Sequence, residues 1–261
     1  MLRSVKDLEK CGVDATDGAI GTVQDFYFDD ESWVIRYLIV DTGTWLKNRT
    51  VFISPHSIRN WDWQGKALPL SITRGQVEHS PIIGVDEPVS RQQEKAYLGY
   101  YGYPYYWGGT GLWGPLSYPE ILVSNARKGE GTSRTHNARA EHANPHLRSC
   151  NAVSRYYLQA SDGEIGHLQG YLIDETSWAI RFLIVNTSNW WLGHQVLIAP
   201  EWIDSVSWLQ STVTTGLSRQ AVKESPAYDP AVVLEPAAQA LIYTHYGRSA
   251  YAIDPVKRKV A

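Results

Sequence analysis

Shifting the sequence against itself by 145 residues lays Leu2-Arg3-Ser4 on Leu147-Arg148-Ser149 and runs without a gap to Ser80-Pro81 on Ser225-Pro226. About 28 of about 80 aligned positions are identical, the signature of an internal repeat. Whatever one half folds into, the other half must be able to fold into as well. At 261 residues, each half is large enough to bury a core of its own.

Within the repeat the pattern is that of short strands. Asp17-Gly18 and Asp162-Gly163 are turn dipeptides, because Asp and Gly tolerate the positive φ that a tight hairpin needs. The runs Ile20 to Phe28 and Ile165 to Ile173 mix apolar and polar positions, as half-exposed strands do. Val34 to Val40 and Ala179 to Val185 are short apolar runs rich in β-branched residues, too brief for buried helices. The runs Val51 to Ile53 and Val196 to Ile198 end at Pro55 and Pro200, which cannot donate to a ladder. Trp61 to Trp63 with Ala67 to Leu70, and Val206 to Trp208 with Thr212 to Thr215, are expected to form further hairpins. Thr73 with Gln76 and Ser90 with Gln93 have the spacing of capping boxes, and Ser218 stands where Thr73 does.

The densest segments read DGAIGTVQDFYFDDESWVIRYLIVDTGTW from Asp17 and DGEIGHLQGYLIDETSWAIRFLIVNTSNW from Asp162, followed by VFISP at Val51 and VLIAP at Val196. D-G-x-I-G, W-x-I-R-[YF]-L-I-V and V-x-I-x-P resemble the hallmark segments of the PRC-barrel family, over about 80 residues of each half. The resemblance implies a mainly β fold of two tandem small barrels, each with a short helical C-terminal addition. It places the first domain at 1–123, with a Tyr/Gly-rich extension, and the second at 147–261. Between them, 124–146 is polar and poor in large apolar residues, the composition of a flexible linker.

The resemblance also implies a module that works by contact. Related domains form the cytoplasmic part of a photosynthetic reaction-centre H subunit and the C-terminal part of a ribosome-maturation factor. The expectation is therefore a non-enzymatic protein-interaction or scaffold protein acting through a protein partner or self-association, with a photosynthetic-type or other membrane complex as one setting. A small-molecule or ion-binding module and an adaptor for a ribosomal protein are the alternatives. A net charge of -3 disfavours direct nucleic-acid binding. With no apolar leader at the start and no run of about 20 apolar residues, a cytoplasmic protein is expected, with membrane-peripheral placement as the variant.

No G-x-S-x-G, H-E-x-x-H, P-loop or G-x-G-x-x-G stands where it could work, so no catalytic residue, cofactor or metal ligand is assigned. Cys11 and Cys150 make no disulfide framework, and His136, His142 and His146 match no ligand spacing. Arg36 and Arg181 sit inside apolar strands, where a charge is costly without partners. They read as structural ion pairs, with Asp29 and Asp174 or Asp41 as candidate partners, or as snorkelling side chains, the functional reading being an anion or partner-contact site. Trp33 and Trp178 read as packing near strand ends, as do Trp45 and Trp190, with an exposed contact patch as the alternative. The segment Ala96 to Pro115 has the most unusual composition. It reads as a tail packed over the first half, or as an adaptable contact surface through Tyr100, Tyr101, Tyr103, Tyr105, Tyr106 and Trp107.

Overall fold

The structure, a computed structural model, describes residues 1–59, 67–83, 89–120, 146–187 and 194–249. In the first half the strands are β1 (Leu2–Ser4), β2 (Gly12–Ala15), β3 (Gly18–Asp29), β4 (Val34–Asp41), β5 (Thr50–Ile53) and β6 (Ala67–Pro69). The second half has β7 (Leu147–Ser149), β8 (Tyr157–Ala160), β9 (Gly163–Asp174), β10 (Ile180–Asn186), β11 (Gln195–Ile198), β12 (Ile203–Ser207) and β13 (Thr212–Thr215). The α-helices are α1 (Val5–Leu8), α2 (Arg74–Glu78), α3 (Arg91–Tyr101), α4 (Cys150–Val153), α5 (Arg219–Lys223) and α6 (Pro236–His245).

The fold is mainly β, built on two mixed sheets. One has the order β5-β4-β3-β2-β6, the other β11-β10-β9-β8-β13-β12. In each, one pair runs parallel, β2 with β6 and β8 with β13. The expected partner of β6, Trp61 to Trp63, lies outside the described residues, although Ile58 bridges Leu70 as Ile203 pairs with Thr215.

The second glycine of D-G-x-I-G has a steric reason. A Cβ at Gly21 would lie 1.9 Å from the Asp41 carbonyl oxygen, and one at Gly166 would lie 2.0 Å from that of Asn186. The long strand must therefore cross the end of its neighbour at a distance no side chain permits. The aspartates of the same motif have a second use: Asp17 Oδ1 accepts from the Arg74 N–H and Asp162 Oδ1 from the Arg219 N–H, both at 2.7 Å. Each tethers the first residue of a helix 57 positions away in sequence.

The division into compact units departs from the sequence boundaries. The N-terminal unit comprises Glu9–Glu31 and Arg36–Arg148; the C-terminal unit comprises Met1–Leu8, Ser32–Ile35 and Ser149–Ala261. In the C-terminal unit β1 lies along β9, pairing Leu2 with Asp174 and Ser4 with Leu172, and Arg3 reaches Glu175 at 3.3 Å. In the N-terminal unit β7 lies along β3, and Arg148 reaches Asp30 at 2.8 Å. The first strand of each repeat thus completes the sheet of the other. His146, assigned to the linker, belongs to the N-terminal unit, where its backbone carbonyl accepts from Asp30 and its ring faces Asp30 at 3.3 Å. The rest of the expected linker, His136 and His142 included, lies outside the described residues.

Trp33 and Trp178 are both buried and both left-handed, with φ of 55° and 59°. In the C-terminal unit the backbone around them is joined reciprocally: Ile35 N–H donates to the Trp178 carbonyl and Ile180 N–H to that of Trp33. A bulky residue at positive φ is costly, and this pairing is what holds it.

Both capping boxes are present, at Thr73/Gln76 and Ser90/Gln93. The second opens α3. α3 runs on to Tyr101 and stops at Gly102, whose φ is 72°. Its counterpart α6, absent from the sequence reading, stops before Gly247 with φ 63°.

Candidate functional site

β4 is buried at every position from Val34 to Val40, so Arg36 enters the core of the N-terminal unit with only 2% of its surface exposed. Its guanidinium lies 3.9 Å from the ring centre of Tyr106 and 4.8 Å from that of Trp113, and Nη1 donates to the Leu112 carbonyl at 2.6 Å. Tyr106 in turn donates to Glu94 Oε1 at 2.5 Å, and Tyr37 donates to the same oxygen at 3.2 Å. Arg91, from the first turn of α3, donates to Glu94 Oε2 at 3.0 Å and to the Tyr106 hydroxyl at 2.6 Å, and approaches Asp29 at 3.7 Å. Two cations and two carboxylates are thereby folded under an aromatic roof.

Burial pulls the Arg36 pKa down, while Asp29, Tyr106, Tyr37 and Glu94 oppose that pull. Burial pushes the Glu94 carboxyl up, against Arg91 and the hydroxyls of Tyr106 and Tyr37. Burial also draws Arg91 down, but Tyr106, Glu94 and Asp29 more than restore it. A buried ionic cluster of this kind stabilises only when each charge is matched, because removing one member strands the rest in low dielectric. Here the matching groups come from β3, β4, α3 and the segment after it, which pins that segment to the sheet.

The C-terminal unit has the same frame with a different filling. Arg181 stands 145 residues after Arg36, Asp174 after Asp29 and Gln239 after Glu94, while Pro236 takes the place of Arg91. Carboxylate and arginine on the helix are lost together, so no charge is orphaned. Arg181 and Asp174 are half-buried and line a cavity of about 430 Å³ with Phe182, Val233, Gln239 and Tyr243. The lining is mixed, with Asp174, Arg181, Glu235 and Gln239 set among apolar neighbours.

The aromatic candidates divide. Tyr101, Tyr103 and Tyr106 are buried and are no contact surface. Tyr103 shares a 2.7 Å hydrogen bond with Ser57 and stacks on His56, while Tyr101 stacks on Tyr103. Burying a phenol this way keeps its ring from water and its hydroxyl satisfied. Tyr100 and Tyr105 remain exposed, at 42% and 46%, and Trp107 is half-buried, stacked on Tyr105 and 4.5 Å from Arg91. Trp45 is half-buried, donates to the Ile20 carbonyl and carries Arg74 over its ring at 4.4 Å. Trp190 lies outside the described residues. Asp41 accepts from the Gly43 N–H at the end of β4, a turn role.

Sequence reasoning missed Glu94, Arg91, Leu112 and Trp113, and in the C-terminal unit Gln239 and Tyr243. One signal could have found the last two. Tyr246-Gly247 stands 145 residues after Tyr101-Gly102, so the repeat register outlives its dense identities.

Compared with known families, residues 4–71 match the model described as the PRC-barrel domain. No curated protein matches the chain. The PRC-barrel match takes in Asp29 and Arg36 but ends before Arg91, Glu94 and Tyr106. Among the described residues no helix is long and apolar enough to cross a membrane.

Proposed function

We propose that the chain is a non-enzymatic protein-interaction module made of two PRC-barrel copies. The second copy rests on the repeat register, which carries every strand from β2 to β5 onto a counterpart 145 residues later. The observation that carries the functional reading is a cavity of about 430 Å³ in the C-terminal unit, lined by Phe182, Val233, Leu234 and Ala240 among others. The rim of that cavity is apolar and accessible, with Val233 52% exposed and its neighbour Val232 63% exposed. Apolar surface kept in water next to a preformed pocket is a common mark of a docking site.

Affinity capture from cell extract with the wild-type chain and with Ala240→Trp tests this reading. Ala240 lines the cavity, and an indole there would fill much of it. Partners captured by the wild type and lost with the variant support the reading. Identical captures by both, with the variant folded by circular dichroism, refute it.

A further inference from the structure

The outer side of α6 carries no charge. Pro236, Ala237, Ala240, Leu241 and Thr244 are exposed along it, while Ile242, Tyr243 and Tyr246 hold the opposite side in the core of the C-terminal unit. Residues three and four apart share one face of a helix, so these five form a continuous stripe. The Thr244 hydroxyl donates to the Ala240 carbonyl at 2.9 Å and needs no partner outside the helix. Leu241, in the middle, is 65% exposed. Val233, which lines the same cavity as Pro236 and Ala240, extends the apolar surface beyond the helix.

The first copy shows that the fold does not demand this surface. At the repeat shift Gln92, Lys95 and Ala96 of α3 stand where α6 has Ala237, Ala240 and Leu241. Two polar side chains have become alanine, and an alanine has become leucine. The exchange puts hydrocarbon in water at a cost that is removed only by burial against another surface.

Resting on the docking reading above, we infer that the partner at this face is a second copy of the chain, the two α6 helices packed antiparallel about a two-fold axis at Leu241. A stripe without charge can meet its own image, because no like charges are brought together at its centre. Its two ends are complementary. Glu235 is exposed at the N-cap, and Arg248 is exposed just beyond the last turn. Setting Leu241 on Leu241 with the helices antiparallel places each Glu235 beside Arg248 of the other copy, whereas a parallel pair would set like on like. The antiparallel arrangement also opposes the helix dipoles, and the alanines beside Leu241 leave room for its side chain.

Sedimentation velocity of the full chain between about 5 µM and about 1 mM reads the association. One helix pair covers less than the roughly 800 Å² per partner of a standard interface, so the dimer is weak, half formed on the order of 100 µM. Leu241→Glu, a change at an exposed position, should leave only monomer, because two carboxylates then meet on the axis. Glu235→Arg and Arg248→Glu should each weaken association about tenfold, since each sets like charges at both ends. An equimolar mixture of these two variants should associate as the wild type does, because every end then pairs an arginine with a glutamate. Circular dichroism of each variant separates loss of association from loss of fold.

A chain that stays monomeric at about 1 mM overturns the assignment. So does a dimer that survives Leu241→Glu, or a mixture that associates no better than its separate components. If the chain is monomeric while captured partners are still lost with Ala240→Trp, the docking reading stands and the second-copy assignment falls. If both fail, both fall.

Discussion

Replacing the same arginine in the two repeats should have unequal effects. Arg36→Met removes a guanidinium that is 2% exposed, with the rings of Tyr106 and Trp113 at 3.9 and 4.8 Å and the Leu112 carbonyl at 2.6 Å. It removes one of the two arginines that balance Asp29 and Glu94. Stranding a buried charge in this way costs about 3–5 kcal/mol, of which the desolvated cation–π contact accounts for about 2. Arg181→Met removes a half-buried guanidinium at the edge of a cavity, where an ionic contribution is about 1 kcal/mol or less. Because the two units need not unfold together, a single melting temperature would blur the comparison. Backbone hydrogen exchange at Leu38 in β4 and Leu183 in β10 reads each unit separately. The expected loss of protection is about 3–5 kcal/mol at Leu38 in the first variant and about 1 or less at Leu183 in the second. Adding Glu94→Gln to Arg36→Met removes the unmatched carboxylate, as the second copy already does with Gln239. It should recover about 1 kcal/mol or more, a coupling typical of neighbours in one network. Equal losses at the two sites would refute the contrast between a buried and a half-buried arginine.

Other consequences are simpler. His56 is buried between Tyr103 and Trp113, and burial lowers its pKa despite a 3.0 Å contact from Nδ1 to the Glu120 carbonyl. A histidine that binds its proton less readily folded than unfolded contributes fully above its unfolded pKa of about 6.5. That contribution is lost as pH falls through the window below. Glu94, with its raised carboxyl, works in the opposite sense, so the quantity to measure is the difference between wild type and His56→Phe in urea unfolding from pH 7 to 5. The wild type should lose stability relative to the variant over that range; parallel curves would contradict the assignment. Gly21→Ala and Gly166→Ala should each destabilise by about 3 kcal/mol or more, since the new Cβ meets a backbone oxygen at 1.9 or 2.0 Å. Thermal unfolding of the single variants checks this, and a shift below a few degrees would count against the close crossing.

Much of the fold was legible because its causes are local. Alternation, β-branched runs and turn residues placed β3, β4, β9 and β10 within two residues of their observed ends. The exchanged first strands were not legible, for a physical reason. Leu2-Arg3-Ser4 and Leu147-Arg148-Ser149 are the same tripeptide, so either pairs equally well with β3 or β9, and chain connectivity decides which one does. Helix α6 was missed because Pro236 opens it without a capping side chain, so the Ser/Gln signal that announces α3 is absent. The site was legible in part. A charge inside an apolar strand marked Arg36 and Arg181, and Asp29 is among the charges that stabilise Arg36. The aromatic segment read ambiguously because tyrosine serves equally in a core, with its hydroxyl satisfied, and on a surface. Only the fold shows that Tyr106 meets Arg36, 70 positions earlier in the chain.

The contrast between the two copies can be measured directly by NMR of the arginine side chains. The account predicts that the Arg36 guanidinium protons exchange slowly with water and carry the upfield ring-current shift of Tyr106, whereas those of the half-buried Arg181 exchange faster. Equally slow exchange at the two arginines, or no ring-current shift at Arg36, would contradict it.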